Sequence, residues 1–182
     1  MYLFYCVYQY LMNDLSCLIR QCKGAAASVM FVCLLLCFSC RFSRKAPVLC
    51  VRTSIAPLAN QNSPIPVDLV LVRDKDLLKE VAKLSAADWG QRREQYLRDY
   101  PDKKQLTDYR WEWVPGQQVP CFTVPIIPKP RAAYLFAGYL SKGDHRARVA
   151  SNKGINLKLL PDDFEVSPGE NCSQKTCPIS VQ

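Results

Sequence analysis

The stretch Leu49-Cys-Val-Arg-Thr-Ser-Ile-Ala-Pro-Leu-Ala-Asn-Gln-Asn-Ser-Pro-Ile-Pro-Val-Asp-Leu-Val-Leu-Val-Arg-Asp74 decides the fold class. Val48, Leu49, Cys50, Val51 and Ile55 lie in a β-branched-rich run that Pro57 stops, which reads as a strand. Val67 to Val72 has one polar residue, Asp68, in six. Such a run is a strand buried on both faces or covered by another layer. Between the two, residues 57–66 hold Pro57, Pro64 and Pro66 and no charge. That composition makes a stiff exposed loop.

Further along the chain the period changes. Leu77, Leu78, Val81 and Leu84 recur at helical spacing. Ser85-Ala-Ala-Asp88 resembles a capping box that opens a second helix, with Trp89, Tyr96 and Leu97 on its buried side and Pro101 after its end. The spacing therefore predicts a helical insert over 75–100. Its basic cluster, Arg92, Arg93, Arg98, Lys103 and Lys104, reads as a solvated face, and no nucleic-acid-binding motif accompanies it. From Arg110 the chain is strand and turn. Residues 110–114 alternate, 122–127 form a short strand that prolines place at a sheet edge, and 133–140 is the most apolar run. Residues 146–150 and 155–160 read as a closing hairpin. Seven or so short strands with frequent turns indicate a mainly β protein, a β-sandwich with a helical insert, over residues 47–165. Residues 166–182 read as a polar tail.

The 182 residues are 49% apolar and 22% charged, with a formal charge of +8. That balance excludes a disordered chain, a collagen-like repeat and a multi-pass membrane protein. One histidine, His145, excludes a His-rich metal site. It lies in a charged turn, Gly-Asp-His-Arg, with no nucleophile elbow beside it, and reads as surface. No phosphate-cradling loop is present, so neither catalysis nor a cofactor is expected.

The N-terminus differs from the rest. Residues 1–40 hold only Asp14, Arg20 and Lys23 as charges. Arg20 and Lys23 precede an uncharged run, 24–40, with an apolar centre at 29–38, which is short for a membrane span and fits a secretory signal over residues 1–39. A start at Met12 would give a signal of ordinary length. The run ends Leu35-Leu-Cys-Phe-Ser-Cys40, which resembles a bacterial lipobox in which Cys40 is lipidated; a plain signal peptide or an uncleaved anchor are the alternatives. Residues 40–46 are then a short basic tether. Export makes the remaining Cys50, Cys121, Cys172 and Cys177 disulfide candidates rather than metal ligands. Bridges Cys172–Cys177 and Cys50–Cys121 are expected, against one structural pair plus two free thiols.

This order of features resembles the outer-membrane lipoprotein of type VI secretion systems, the TssJ family. The resemblance is carried by Leu49–Asp74, where Val51-Arg52 leads into the loop holding Asn60 and Ile65-Pro66-Val67 opens a strand ending at Arg73-Asp74. Val114-Pro115-Gly116 and Ala132-Ala133-Tyr134 match later landmarks, and about residues 40–165 are covered. It implies a transthyretin-like sandwich of about seven to eight strands, anchored on the periplasmic face of the outer membrane. It also implies binding to the inner-membrane TssM-like protein through the first loop, with Leu58, Ala59, Asn60, Gln61, Asn62, Ser63 and Ile65 as the binding residues. Leu58 and Ile65 would be the apolar contacts. Two other readings stay open: a subunit of another envelope-spanning machine, and a periplasmic lipoprotein that binds a small ligand or peptidoglycan on Trp89, Trp111 and Trp113.

Overall fold

The computed structural model describes residues 47–151, 154–170, 177 and 179–180. The signal segment, Cys40, the tether and Cys172 lie outside the described residues. Residues 46–182 form one compact unit. Its strands are β1 Val48–Ile55, β2 Ile65–Val72, β3 Leu106–Trp113, β4 Phe122–Pro125, β5 Ala132–Ala137, β6 Arg146–Val149, β7 Gly154–Leu159, β8 Phe164–Gly169 and the two-residue β9 Ile179–Ser180. Two helices, α1 Lys75–Val81 and α2 Ala86–Asp99, lie between β2 and β3.

The strands make two sheets, ordered β8-β7-β1-β4-β9 and β3-β2-β5-β6. Side chains alternate across a strand, and β2 divides its apolar residues accordingly. Ile65, Val67, Leu69 and Leu71 enter the core between the sheets. Val70 and Val72 enter a second core beneath the helices, with Leu77, Val81, Trp89, Tyr134 and Phe136. Burial on both faces is what the 67–72 run predicts. The molecule is a β-sandwich with one outer face roofed by helices, mainly β as expected.

The helical layer begins and ends where local chemistry directs it. Asp74 caps α1 by accepting from the N–H groups of Asp76 and Leu77. Ser85 and Asp88 form both halves of the capping box at the start of α2. Trp89 stacks on Phe136 of the sheet, with ring centroids 5.4 Å apart, and on Tyr96 at 5.8 Å. Arg146 Nη1 donates to the carbonyls of Ala82 and Leu84, which fixes the link between the helices.

Two expectations are corrected. Residues 146–160 are not a hairpin, because β6 pairs with β5 in one sheet while β7 pairs with β1 and β8 in the other. Gly154 packs its α-carbon against the Glu170 carbonyl at the end of β8, where a Cβ would sit 2.2 Å away, so glycine lets β8 close onto the start of β7. The sandwich also continues past 165. β8 completes the antiparallel pair with β7 to Gly169, and Ile179–Ser180 adds to β4.

Asp68 is the one acid in the covered strand. Its carboxyl lies under α2, with Oδ1 3.7 Å from Arg93 Nε and 3.5 Å from Arg110 Nε. Arg93 also donates to Asp108 on β3, so one guanidinium ties helix to sheet. Burial pushes the Asp68 carboxyl above its ordinary range, outweighing the downward pull of Arg110 and Arg93. The folded chain thus holds that proton more tightly than the unfolded one, and the charged form costs stability as pH rises from about 4. Asp68→Asn is expected to match the parent below about pH 4 and to gain on it steadily toward neutrality, read by urea unfolding across pH. An advantage that grows toward acid pH would contradict this.

Candidate functional site

β1 and β2 are joined at the end of the sandwich farthest from Pro47, where the described chain begins. This end is termed the distal pole. Its central feature is a left-handed turn: Asn60, Gln61 and Asn62 have φ of 50°, 53° and 61°. Such angles are uncommon without glycine, and Asn tolerates them best. The turn is held by Asn60. Its N–H donates to the Pro161 carbonyl at 2.8 Å, its Nδ2 donates to the Pro64 carbonyl at 2.9 Å, and its Oδ1 accepts from the Leu140 N–H at 2.6 Å. One buried residue therefore joins three connections, β1–β2 and β5–β6 through its side-chain amide and β7–β8 through its backbone N–H. The β3–β4 connection is pinned as well, since the Gly116 N–H donates to the Ala56 carbonyl. Gly116 has φ +70°, a turn position that favours glycine.

This bonding sorts the seven residues expected to contact a partner. Ala59, Asn60 and Ile65 are buried, and Ile65 belongs to the core between the sheets. They support the loop and offer no contact surface, which corrects the expectation for all three. Leu58, Gln61 and Asn62 are exposed and Ser63 is half-buried. Leu58 keeps 69% of its surface in solvent. Two further apolar residues flank it. Leu140, 64% exposed, is held by Asn60 itself, and Val114 is half-exposed two residues from Gly116. Neither was legible in the sequence, because each continues an apolar strand run and only the fold shows where the run leaves the sheet.

His145 is buried rather than on the surface. Its Nδ1 lies 2.9 Å from Asp163 Oδ1 and its Nε2 2.9 Å from the Ser141 carbonyl. Ser141 Oγ, 3.3 Å from Nε2, donates to the Asp162 carbonyl at 2.6 Å. A serine nucleophile needs its hydroxyl proton directed at the histidine base, and here it is directed elsewhere. The cluster stitches the β5–β6 and β7–β8 connections. The tryptophans are structural as well. Trp89 and Trp113 are buried, and Trp111 stacks on Trp113 and packs against Phe122.

Cys121 is bonded to Cys177, with α-carbons 5.0 Å apart. The expected bridges Cys172–Cys177 and Cys50–Cys121 are corrected accordingly. Parallel pairing of β9 with β4 carries Cys177 back beside Cys121, and proximity in sequence does not decide the pairing. Cys50 Sγ lies 2.9 Å from that of Cys177, and the three sulfurs sit within 4.8 Å of one another. Three sulfurs this close could hold a soft metal as thiolates, but the Cys121–Cys177 bond removes two of them from that role. Among the described residues no helix is long and apolar enough to cross a membrane.

No family model matches the chain, and no curated relative matches it by sequence. Solved structures do. Lip of Serratia marcescens, described as a membrane-bound component of the type VI secretion system, superposes with a TM-score of 0.52 at 11% identity, over 69% of this chain and 99% of that one. A chain of a type VI membrane complex superposes with 0.50 at 10% identity, over 68% and 100%. The lipoprotein TssJ1 of Pseudomonas aeruginosa gives 0.47 at 11% identity, over 70% and 99%, too low to carry weight. The chain shares the fold of these type VI secretion components, over nearly the whole of each of them and about two thirds of this chain.

If Asn60 anchors the distal pole, its loss must cost far more than loss of the exposed side chain two residues away. Asn60→Ala leaves the Leu140 N–H without its acceptor and is expected to cost about 1–3 kcal/mol in urea unfolding. Leu58→Ala is expected to change stability by less than about 0.5 kcal/mol.

Proposed function

We propose that this chain is an outer-membrane lipoprotein that joins a type VI secretion membrane complex by binding its inner-membrane TssM-like protein through the distal pole. The observation that carries this reading is the exposure of Leu58, Val114 and Leu140 around one rigid turn. Isolated exposed apolar residues are ordinary, but a cluster on a pre-ordered surface is a docking signature. Three connections locked by Asn60 leave little conformational entropy to be lost on association. The β1–β2 loop carries no charge, so the contact would depend on burial and shape and salt would weaken it little. Likeness of fold to Lip supports the setting.

Orientation supports it too. β1 is eight residues long, and at about 3.3 Å per residue its two ends are roughly 25 Å apart. In this reading residues 1–39 are a signal, Cys40 carries the lipid, and the short tether delivers the chain to Pro47. The distal pole then points away from the membrane, toward a partner anchored on the other side of the periplasm. No step of this role requires bond chemistry.

The loop itself cannot be shortened as a test, because Ala59 and Asn60 are part of the core. Exposed positions can be changed instead. Leu58→Asp is expected to weaken calorimetric binding to the periplasmic domain of the TssM-like protein by about 2 kcal/mol or more, roughly thirtyfold in Kd. Lys158→Asp, on an outer sheet face, should leave it unchanged. Equal affinities for parent and Leu58→Asp would remove the distal pole from the interface, and no binding by the parent would remove the partner.

A further inference from the structure

Among the described residues, the exposed large apolar side chains that do not lie at the distal pole, Val48 and Ile127, both lie at the opposite end. There the chain begins at Pro47, whose carbonyl accepts from the Ile126 N–H, and Val48 pairs with Pro125. Ile127 is 53% exposed and Val48 43%. This proximal pole is organised around Arg73, a buried guanidinium at the end of β2. Its Nε donates to the Pro128 carbonyl at 2.6 Å, and its Nη1 donates to the Lys103 carbonyl and to Thr107 Oγ1. Arg131 Nε donates in turn to the Arg73 carbonyl. Lys103, Lys129 and Arg131 are thereby held around one buried cation that has no carboxylate within ion-pair distance among the described residues.

Beside them an open cleft of about 440 Å³ is lined by residues 129–132 and 148–151. Lys129, Arg131 and Arg148 are its charged groups, and no carboxylate lines it. Carboxylates do occur at this end, Glu170 after β8 among them, but none of them lines the cleft. Asp74 accepts from the α1 backbone, Asp102 from the Lys104 N–H, and Asp99 from Gln95 Nε2. The cleft thus has a positive rim, with a buried cation beside it and two apolar side chains exposed at the same end.

We propose that the proximal pole lies on an anionic phospholipid surface, with Lys103, Lys104, Lys129 and Arg148 against the headgroups and Ile127 and Val48 at the interface. Basic residues beside an anionic bilayer are attracted within a Debye length of it, and apolar side chains among them add burial at the headgroup boundary. Chain length agrees. From Cys40 to Pro47 is seven residues, at most about 25 Å when extended. Any lipid or bilayer that holds the chain at residue 40 therefore keeps this pole within reach of headgroups. The inference uses the anchoring half of the proposed function and none of its partner.

Lysine footprinting tests it on the full chain. The chain is reconstituted into phosphatidylcholine vesicles with and without phosphatidylglycerol, lysines are acetylated with a water-soluble reagent, and sites are read by mass spectrometry. Lys103, Lys104 and Lys129 are expected to react about threefold or more slowly on the anionic vesicles, with Lys142 at the distal pole unchanged. Raising salt to about 1 M, where the Debye length is roughly 3 Å, should remove the difference. A Lys129→Glu and Arg148→Glu double variant should lose the protection at Lys103 and Lys104. Equal rates on both vesicles, or equal protection of Lys142, would overturn the proposal. So would protection of the same lysines by inorganic phosphate alone, which would mark a small-anion site. None of these outcomes touches partner binding at the other pole.

Discussion

A strand with no solvent-facing side has to be covered twice, and β2 is such a strand. Its inner residues need the opposing sheet and its outer residues need the roof of α1 and α2. The helical insert is therefore part of the core and not an ornament on it. Removing a single inner leucine would leave a cavity among mostly buried neighbours, a site of the kind where cavities are costly. Asp68 marks the tension in this design. A carboxylate under a helix is tolerated because Arg93 and Arg110 stand over it, and Arg93 turns that cost into a link with Asp108.

Each end of β2 opens onto a buried polar side chain that gathers the surrounding loops. Beyond Ile65 it is Asn60, whose side chain ties two connections at the distal pole and whose backbone N–H ties a third. After Val72 it is Arg73, which ties the 126–131 and 102–107 segments at the proximal pole. The surfaces so ordered differ in kind. The distal one sets exposed apolar side chains around an uncharged β1–β2 turn, suited to a protein contact centred on burial. The proximal one is basic with two apolar residues, suited to a charged interface. A strand of eight residues separates them, so the domain would act as a short strut between membrane and partner.

Local signals survived the passage from sequence to structure, and long-range ones did not. The β1–loop–β2 unit, the insert over 75–100 and the Ser85–Asp88 cap were legible because each depends on residues a few positions apart. Ile65 was expected at a contact surface because it lies between Pro64 and Pro66 in a proline-bounded segment, yet the register of β2 against Trp113 turns it inward. Asn60 was legible as a loop residue but not as a buried hub, since its acceptors are the carbonyls of residues 64 and 161 and its donor is the N–H of residue 140. The same reason hid the burial of His145, whose partner Asp163 is 18 residues away. Cys177 finds Cys121 across 56 residues, a pairing no spacing rule could select.

The central claim is that one end of this sandwich meets a protein partner while the helical face does not. Hydrogen exchange of the chain with and without the periplasmic domain of a TssM-like protein tests it most directly. The account predicts slowed exchange confined to residues 56–63, 114–118 and 138–142, with α2 and residues 126–131 unchanged. Slowing on α2, or none at the three distal connections, would contradict it.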